Sequence, residues 1–127
     1  MPIRIVAADD HQIMREGLKM LIADEPDLEL IGEASTGRQA LDMAGELTPD
    51  IVVMDIGMPE MDGVQATSKI IAAHPQVKVI ALSMHADPYY VNSMKKAGAS
   101  GYVLKEIAFY SLAATIRKVM AGEQAFP

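Results

Sequence analysis

The alternation of short apolar runs with longer amphipathic segments constrains the fold of this chain more than any other feature of its sequence. Five runs rich in Val and Ile predict β-strands over residues 3–8, 28–34, 51–54, 77–82 and 102–104. The helical spacing of apolar residues predicts five helices, over residues 13–23, 38–47, 64–73, 88–97 and 109–121. Near-continuous apolarity is typical of parallel strands that are buried on both faces. The pattern therefore predicts an α/β domain made of five successive βα units.

Turn-forming residues mark the boundaries between these segments rather than their interiors: Pro26, Gly37, Pro49, Asp62 with Gly63, Pro75, Pro88 and Gly98. Pro88 can open its helix in the first turn, where a missing N–H costs nothing, and Gly98 can close the same helix with a positive φ. The chain has 127 residues, half of them hydrophobic, which fits one domain with one core. We expect the domain to span residues 1–121 and residues 122–127 to begin a linker.

Composition narrows the range of partners. The net charge of -6 argues against direct binding to nucleic acid or to an anionic membrane. No apolar stretch is long enough to cross a bilayer and no signal sequence is visible, so we expect a cytoplasmic protein.

The sulfur-containing residues also limit the kinds of site in this chain. The absence of cysteine excludes disulfides and thiolate metal sites. Several of the ten methionines fall at core-like positions, and we expect these to pack in the interior: Met14, Met20, Met43, Met54 and Met120.

Polar side chains stand where the predicted strands end. Asp9 and Asp10 follow the first strand, Asp55 follows the third, Ser83 the fourth and Lys105 the fifth. The carboxyl ends of parallel strands share one edge of a sheet, so these side chains can converge in one crevice. Three carboxylates, one hydroxyl and one amine suit a divalent cation together with a phosphoryl group.

The carboxylates predict a magnesium site. Clustered anions repel one another, whereas a hard cation with oxygen ligands makes the same arrangement favourable. Mg²⁺ is the natural candidate, with Mn²⁺ as a substitute. A simpler alternative is that Asp9 and Asp10 only cap the first helix, although one aspartate suffices for a cap.

Asp55 is the predicted nucleophile. A carboxylate held on a rigid strand beside a metal can attack phosphorus and form an acyl phosphate. Lys105 offers a point charge for a phosphate oxygen or a neighbouring carboxylate, and Ser83 can donate its hydroxyl to a phosphoryl oxygen. Taken alone, Lys105 would be a solvated surface residue and Ser83 a turn former. Gly57 would allow its carbonyl to approach the metal closely.

The order and spacing of these residues resemble a known family. Asp9-Asp10, the segment Val-Met-Asp-Ile-Gly-Met-Pro-Glu-Met-Asp-Gly at residues 53–63, Ser83 and Lys105 look like a response regulator receiver (CheY-like) domain, over essentially the whole chain. The run Gly-Ala-Ser-Gly-Tyr-Val-Leu-Lys at residues 98–105, with His11 after the aspartate pair, resembles the NarL/FixJ (LuxR-type) subclass.

The resemblance implies a flavodoxin-like (βα)5 three-layer sandwich with strand order 2-1-3-4-5. It implies Mg²⁺ bound by Asp10, Asp55 and the Gly57 carbonyl, with Asp9 acting through water, and phosphotransfer from a sensor histidine kinase to Asp55. It further implies Ser83 and Tyr102 as a switch pair, and a helix-turn-helix domain beyond the linker through which alone the protein would contact DNA. It is compatible with homodimerisation on phosphorylation, which the sequence leaves open.

The switch also has a physical interpretation. A phosphoryl group on Asp55 adds charge and acceptor oxygens that can draw the Ser83 hydroxyl inward and open space for the Tyr102 ring. Ordinary half-buried packing of Tyr102 is the alternative.

Three further residues adjoin the predicted site: Glu106, His85 and His11. Glu106 stands where many receivers carry a proline after a cis bond, and the sequence leaves the geometry of the Lys105–Glu106 bond open. His85 and Gly57 occupy rim positions that tune acyl phosphate hydrolysis in such domains, so we expect His85 to affect its lifetime. His11 is expected to be an ordinary loop residue.

Rival functions fit the sequence less well. A haloacid-dehalogenase-like phosphatase needs a second aspartate two residues after the nucleophile, where this chain has Gly57. A flavin mononucleotide carrier needs free N–H groups and hydroxyls after the first strand, where Asp9 and Asp10 would repel the phosphate. We therefore expect a signalling switch that catalyses its own phosphorylation and dephosphorylation rather than an enzyme, with a stand-alone receiver acting through protein contacts as the alternative.

Overall fold

A computed structural model describes all of residues 1–127, and its elements follow the predicted alternation. The strands are β1 (Ile3–Ala8), β2 (Leu28–Ala34), β3 (Ile51–Asp55), β4 (Lys78–Ser83) and β5 (Gly101–Leu104). The helices are α1 (Gln12–Ala23), α2 (Gly37–Leu47), α3 (Gly63–Ala73), α4 (Pro88–Ala97) and α5 (Ala108–Met120). A short 3₁₀ turn, Lys105–Ile107, joins β5 to α5.

The five strands form one parallel sheet in the order β2-β1-β3-β4-β5. β3 lies in the middle and all five of its residues are buried, which is why its sequence is almost wholly apolar. The sheet places the carboxyl ends of β1, β3, β4 and β5 side by side. The predicted flavodoxin-like fold is therefore confirmed.

Alternate residues of β3 enter two separate cores. Val52 and Met54 pack with residues of α2, α3 and α4, whereas Ile51 and Val53 pack with residues of α1 and α5. The molecule is thus a three-layer sandwich with helices on both faces of the sheet. Full burial of each large aliphatic side chain contributes about 1.5 to 3 kcal/mol, so these two layers fix the sheet firmly beneath the site.

Polar caps define several helix ends. Asp62 accepts a hydrogen bond from the Gln65 N–H at the start of α3, and Asp87 accepts one from the Tyr89 N–H at the start of α4. Pro88 occupies the first turn of α4, and Gly98 ends it with a φ of 103°. Such caps satisfy N–H and C=O groups that would otherwise lack partners.

The start of α1 is different. Its N-cap residue is His11, and no side chain there makes a capping hydrogen bond. Asp9 and Asp10 are therefore not the cap of this helix, which removes the simpler explanation of the aspartate pair.

The expectation that the five methionines pack in the interior is wrong for two of them. Met20 and Met120 lie on the surface, 71% and 41% exposed, because each falls on the outer side of an amphipathic helix, whereas Met54 is fully buried as expected. Residues 122–127, expected to begin a linker, turn back at Gly122 and lie against β5. The domain boundary at residue 121 stays a prediction. No helix of the chain combines the length and the apolarity needed to cross a bilayer.

Candidate functional site

The crevice at the carboxyl edge of the sheet gathers the polar residues that the strands were predicted to present. Asp55 and Ser83 are the last residues of β3 and β4, and Lys105 comes directly after β5. Asp9 follows β1, and its N–H donates to the carbonyl of Ala34, so the end of β2 fixes its backbone. A cavity of about 220 Å³ opens here, lined in part by Asp55, Ser83 and Lys105.

The aspartates form a tight anionic cluster. Asp9 is fully buried and Asp55 is 5% exposed. One side-chain ligand atom from each of Asp9, Asp10, Asp55 and His11 lies within 4.8 Å of the others. Asp9 Oδ2 is buried and makes no aligned hydrogen bond. Oxygen atoms gathered in this way fit a hard divalent cation and its bound water.

Lys105 supplies the balancing positive charge. Its Nζ atom lies 2.9 Å from Asp9 Oδ2 and 3.3 Å from Asp55 Oδ1, and its side chain is only 13% exposed. The contact with Asp9 is an ion pair without hydrogen-bond alignment. A cation held against both carboxylates offsets part of their mutual repulsion and leaves one positive group facing the crevice.

The electrostatics of the crevice alter the acidity of its groups. Burial is the main cause that raises the pKa of Asp55, and the charge of Asp9 raises it further. The positive charge of Lys105 offsets only part of this increase. Burial by itself would lower the pKa of Lys105, but the carboxylates of Asp9 and Asp55 outweigh it and raise that pKa. Without a metal, the ionised Asp55 is thus electrostatically disfavoured.

The loop after β3 is shaped by glycine. A side chain at Gly63 would collide with the carbonyl oxygen of Asp55 and approach the Cα of Ile56 to 2.8 Å. The Gly63 N–H also donates to the Ile56 carbonyl at 2.8 Å. Gly57 is different, because a side chain there would meet nothing within 4 Å. The Gly57 N–H donates to Asp55 Oδ1 at 3.3 Å, which holds the residue next to the cluster.

A second group of contacts links Ser83 to Tyr102. Ser83 is buried, and its hydroxyl accepts a hydrogen bond from the His85 N–H at 3.0 Å. The Tyr102 hydroxyl donates to the His85 carbonyl at 2.6 Å, and its ring is buried. Burial raises the pKa of Tyr102, so the phenol remains a proton donor. The His85 ring stacks on Tyr90, with the ring centroids 4.9 Å apart.

His11 belongs to the site, although it was expected to be an ordinary loop residue. Its Nδ1 lies 3.0 Å from Asp9 Oδ1 and 3.3 Å from Asp10 Oδ1, and its N–H donates to Asp9 Oδ1. Adjacency to the aspartate pair was the only signal in the sequence that His11 could belong to the site.

The peptide bond between Lys105 and Glu106, whose geometry the sequence leaves open, is trans, because the chain contains no cis peptide bond.

Comparison with known proteins now decides the family. The sequence profile described as "Response regulator receiver domain" matches residues 5–117. The chain belongs to the response regulator receiver family. Receivers are signalling domains rather than ordinary enzymes, and they bind Mg²⁺ at an acidic pocket.

Relatives of this receiver place it near the LuxR/NarL type. It is 42% identical over 120 residues to "Transcriptional regulatory protein DegU" of Brevibacillus brevis, covering 94% of this chain and 51% of that protein. A crystal structure of a LuxR-family two-component response regulator from Aurantimonas sp. SI85-9A1 superposes with a TM-score of 0.93 at 35% identity, covering 98% of this chain and 89% of that one.

The receiver domain of a NarL response regulator from Mycobacterium tuberculosis gives a TM-score of 0.92 at 28% identity, covering 96% of this chain and 98% of that one. The present chain spans about half the length of the curated relatives it matches, such as DegU.

Proposed function

We propose that this receiver accepts a phosphoryl group on Asp55 from a sensor histidine kinase, with Mg²⁺ bound, and passes the change to an attached DNA-binding output domain. The observation that carries the proposal is the position of Lys105 against both Asp55 and Asp9, at the edge where the central strand ends. A cation fixed there can neutralise the negative charge on the oxygens of the phosphoryl group while that group leaves the donor.

Asp55 is the acceptor in this proposal. One of its oxygens attacks phosphorus, and the new P–O bond forms as the donor's P–N bond breaks. The donor phosphohistidine carries a proton on its other ring nitrogen and leaves as neutral histidine. Asp55 sits at the end of a fully buried strand, so the nucleophile is held in a fixed position before the donor arrives.

The residues fit a magnesium ion. Asp10, Asp55 and the Gly57 carbonyl would hold it directly, and the buried carboxylate of Asp9, whose Oδ2 makes no aligned hydrogen bond, would bind a metal-bound water. The ion supplies charge neutralisation at the phosphoryl oxygens. Mn²⁺ has similar ligand preferences and can replace it.

Ser83, Tyr102 and His85 are the proposed readout. A hydroxyl can accept one hydrogen bond and donate another, so Ser83 can keep the His85 N–H and still donate to a phosphoryl oxygen. The buried Tyr102 ring then remains tied to the same loop through the His85 carbonyl. Gly57 and His85, at the rim of the cavity, are proposed to set how quickly water removes the phosphoryl group.

The proposed output is control of transcription through a helix-turn-helix domain that follows a linker beginning near residue 122, in a cytoplasmic protein. The names of relatives such as DegU, a transcriptional regulatory protein, support it. Homodimerisation on phosphorylation is part of the proposal. A stand-alone receiver acting through protein contacts is the alternative.

The decisive experiment is intact-mass spectrometry after incubation with acetyl phosphate and Mg²⁺. We expect one phosphoryl addition that disappears with EDTA, with hydroxylamine treatment and in Asp55→Asn. Asp62→Asn is the matched control, because Asp62 lies on the same loop but caps α3, and it should still be modified. No addition, or equal addition to Asp55→Asn, would refute the proposed mechanism.

A further inference from the structure

Residues 123–127 occupy the outer edge of the sheet. The Tyr102 N–H donates to the Ala125 carbonyl at 2.9 Å, and the Ala125 N–H donates to the Ser100 carbonyl at 2.9 Å. Ala125 thereby forms a parallel bridge with Gly101. Residues 123–127, here called the tail, contact the otherwise unpaired edge of β5 through this single bridge.

The register brings Phe126 next to Tyr102. Ala125 is opposite Gly101, so the following residues of the two strands are also neighbours. Tyr102 and Phe126 contact the same hydrophobic core, whereas Ala125 packs on the other face of the sheet. Adjacent strands lie about 4.8 Å apart. Phe126 and Tyr102 therefore occupy neighbouring positions on the same face of the sheet and pack in the same core.

A cation from α4 also contacts the tail. The Lys95 ammonium lies 4.9 Å from the centre of the Phe126 ring. Cation–π contacts of this kind are weak at an exposed site but favour one orientation of the ring. The tail therefore contacts both β5, the strand that carries Tyr102, and α4.

Tyr102 is thus the common partner of two segments. Its hydroxyl holds the loop after β4 through His85, and its N–H holds the tail through Ala125. If the ring moved outward, it would lose the first contact and leave a space beside Phe126 on the core face. Two segments held by the side chain and the backbone of one residue can be energetically coupled.

We propose that docking of the tail on β5 and the inward position of Tyr102 stabilise each other, so that the β5 edge is a regulated docking surface for residues 123–127. The link to Asp55 rests on the function proposed above. By reciprocity, phosphorylation that favours inward Tyr102 tightens the tail, and loss of the tail weakens the inward state. In the proposed longer protein this tail leads to the output domain.

Amide hydrogen exchange measured by NMR on the unphosphorylated chain tests the coupling. Phe126→Ala should reduce protection at the Ala125 and Tyr102 amides about tenfold. Tyr102→Phe removes only the bond to the His85 carbonyl, yet it should also reduce protection at Ala125. Unchanged protection at Ala125 in Tyr102→Phe would overturn the proposal.

Controls separate local from global effects. Tyr110→Ala removes an aromatic ring that is almost fully exposed on α5, and it should leave Ala125 protection unchanged. Protection at the Val53 amide in the central strand should be the same in all variants, because it reports global opening. A parallel loss at Val53 would show that the variants act on the whole fold, which would also overturn the coupling.

A second arm adds acetyl phosphate and Mg²⁺, with phosphorylation followed by mass. Ala125 protection should rise about fivefold in the phosphorylated chain and not in Phe126→Ala, a size typical of coupled sites. Phosphorylation without that rise in Ala125 protection would show that the tail is not coupled to Asp55, and it would leave the proposed function unaffected. If no phosphoryl group is added, the proposed function fails, and the Tyr102→Phe comparison still decides the coupling.

Discussion

The ammonium group of Lys105 lies 3.3 Å from Oδ1 of Asp55, the carboxylate proposed to accept the phosphoryl group. The same ammonium lies 2.9 Å from Asp9 Oδ2. One cation therefore contacts two buried anions. In the proposed reaction this ammonium group would also neutralise charge on an oxygen of the phosphoryl group that approaches Asp55.

Replacement of Lys105 by Met should lower stability and strengthen metal binding. Loss of the ammonium leaves Asp9 and Asp55 without their partner, which should cost about 3 kcal/mol without a metal. The more negative cluster should then bind Mg²⁺ about tenfold more tightly. Urea denaturation in EDTA and an NMR titration with Mg²⁺ measure the two effects. Lys96→Met, at an exposed position on α4, is the control; weaker Mg²⁺ binding in Lys105→Met would contradict this account.

Asp55→Asn should stabilise the metal-free chain at neutral pH. Burial raises the pKa of Asp55, so the folded state binds more protons than the unfolded state above the usual aspartate pKa. Stability therefore falls as pH rises from the unfolded pKa through the folded pKa. The variant has no charge to bury there, so it avoids that loss and should unfold at a higher Tm. The advantage should vanish as pH falls below the unfolded pKa, where both states are protonated.

Magnesium should reverse this order, because it binds the ionised cluster only in the folded state. Thermal unfolding from pH 3 to pH 8, with Mg²⁺ or EDTA, measures both effects. A wild-type chain more stable than Asp55→Asn in EDTA at neutral pH would show that Lys105 fully compensates the buried charge.

Gly63→Ala should disturb the loop that carries Gly57. The new methyl group collides with the Asp55 carbonyl, and the backbone must shift, at a cost of about 2 kcal/mol. Gly57→Ala is the matched control, because a methyl group there meets no atom within 4 Å, and its stability should change by about 0.5 kcal/mol at most. Urea denaturation decides between them; equal stability of the two variants would rule out the close approach at Gly63.

His85→Ala should shorten the lifetime of the phosphorylated state. The His85 ring stacks on Tyr90 and lines the cavity beside Asp55, where we propose that it limits the entry of water. Its removal should speed loss of the phosphoryl group about threefold, a change of under 1 kcal/mol in the barrier. Decay is followed by mass after acetyl phosphate is removed. His74→Ala is the control, since His74 follows α3 at the end far from Asp55. An unchanged decay rate would remove His85 from this role.

Local sequence pattern was enough for most of the fold. The apolar run at residues 51–54 predicted β3 to within one residue, and Pro88 and Gly98 marked both ends of α4. The placement of Asp55 and Ser83 at one edge followed from the topology, because parallel strands present their carboxyl ends together. Pattern failed at Met20, where helical spacing did not reveal which side faces solvent.

The sequence by itself determined the strands, the helices, the edge at which the polar residues meet and the family resemblance, since these depend on local periodicity and on residue types at strand ends. Only the tertiary structure decided that Lys105 contacts Asp9 as well as Asp55, that His11 joins the cluster, that the Tyr102 hydroxyl reaches the His85 carbonyl and that residues 123–127 cover β5. These contacts depend on side-chain rotamers and on distances between residues far apart in the chain, which no local pattern encodes.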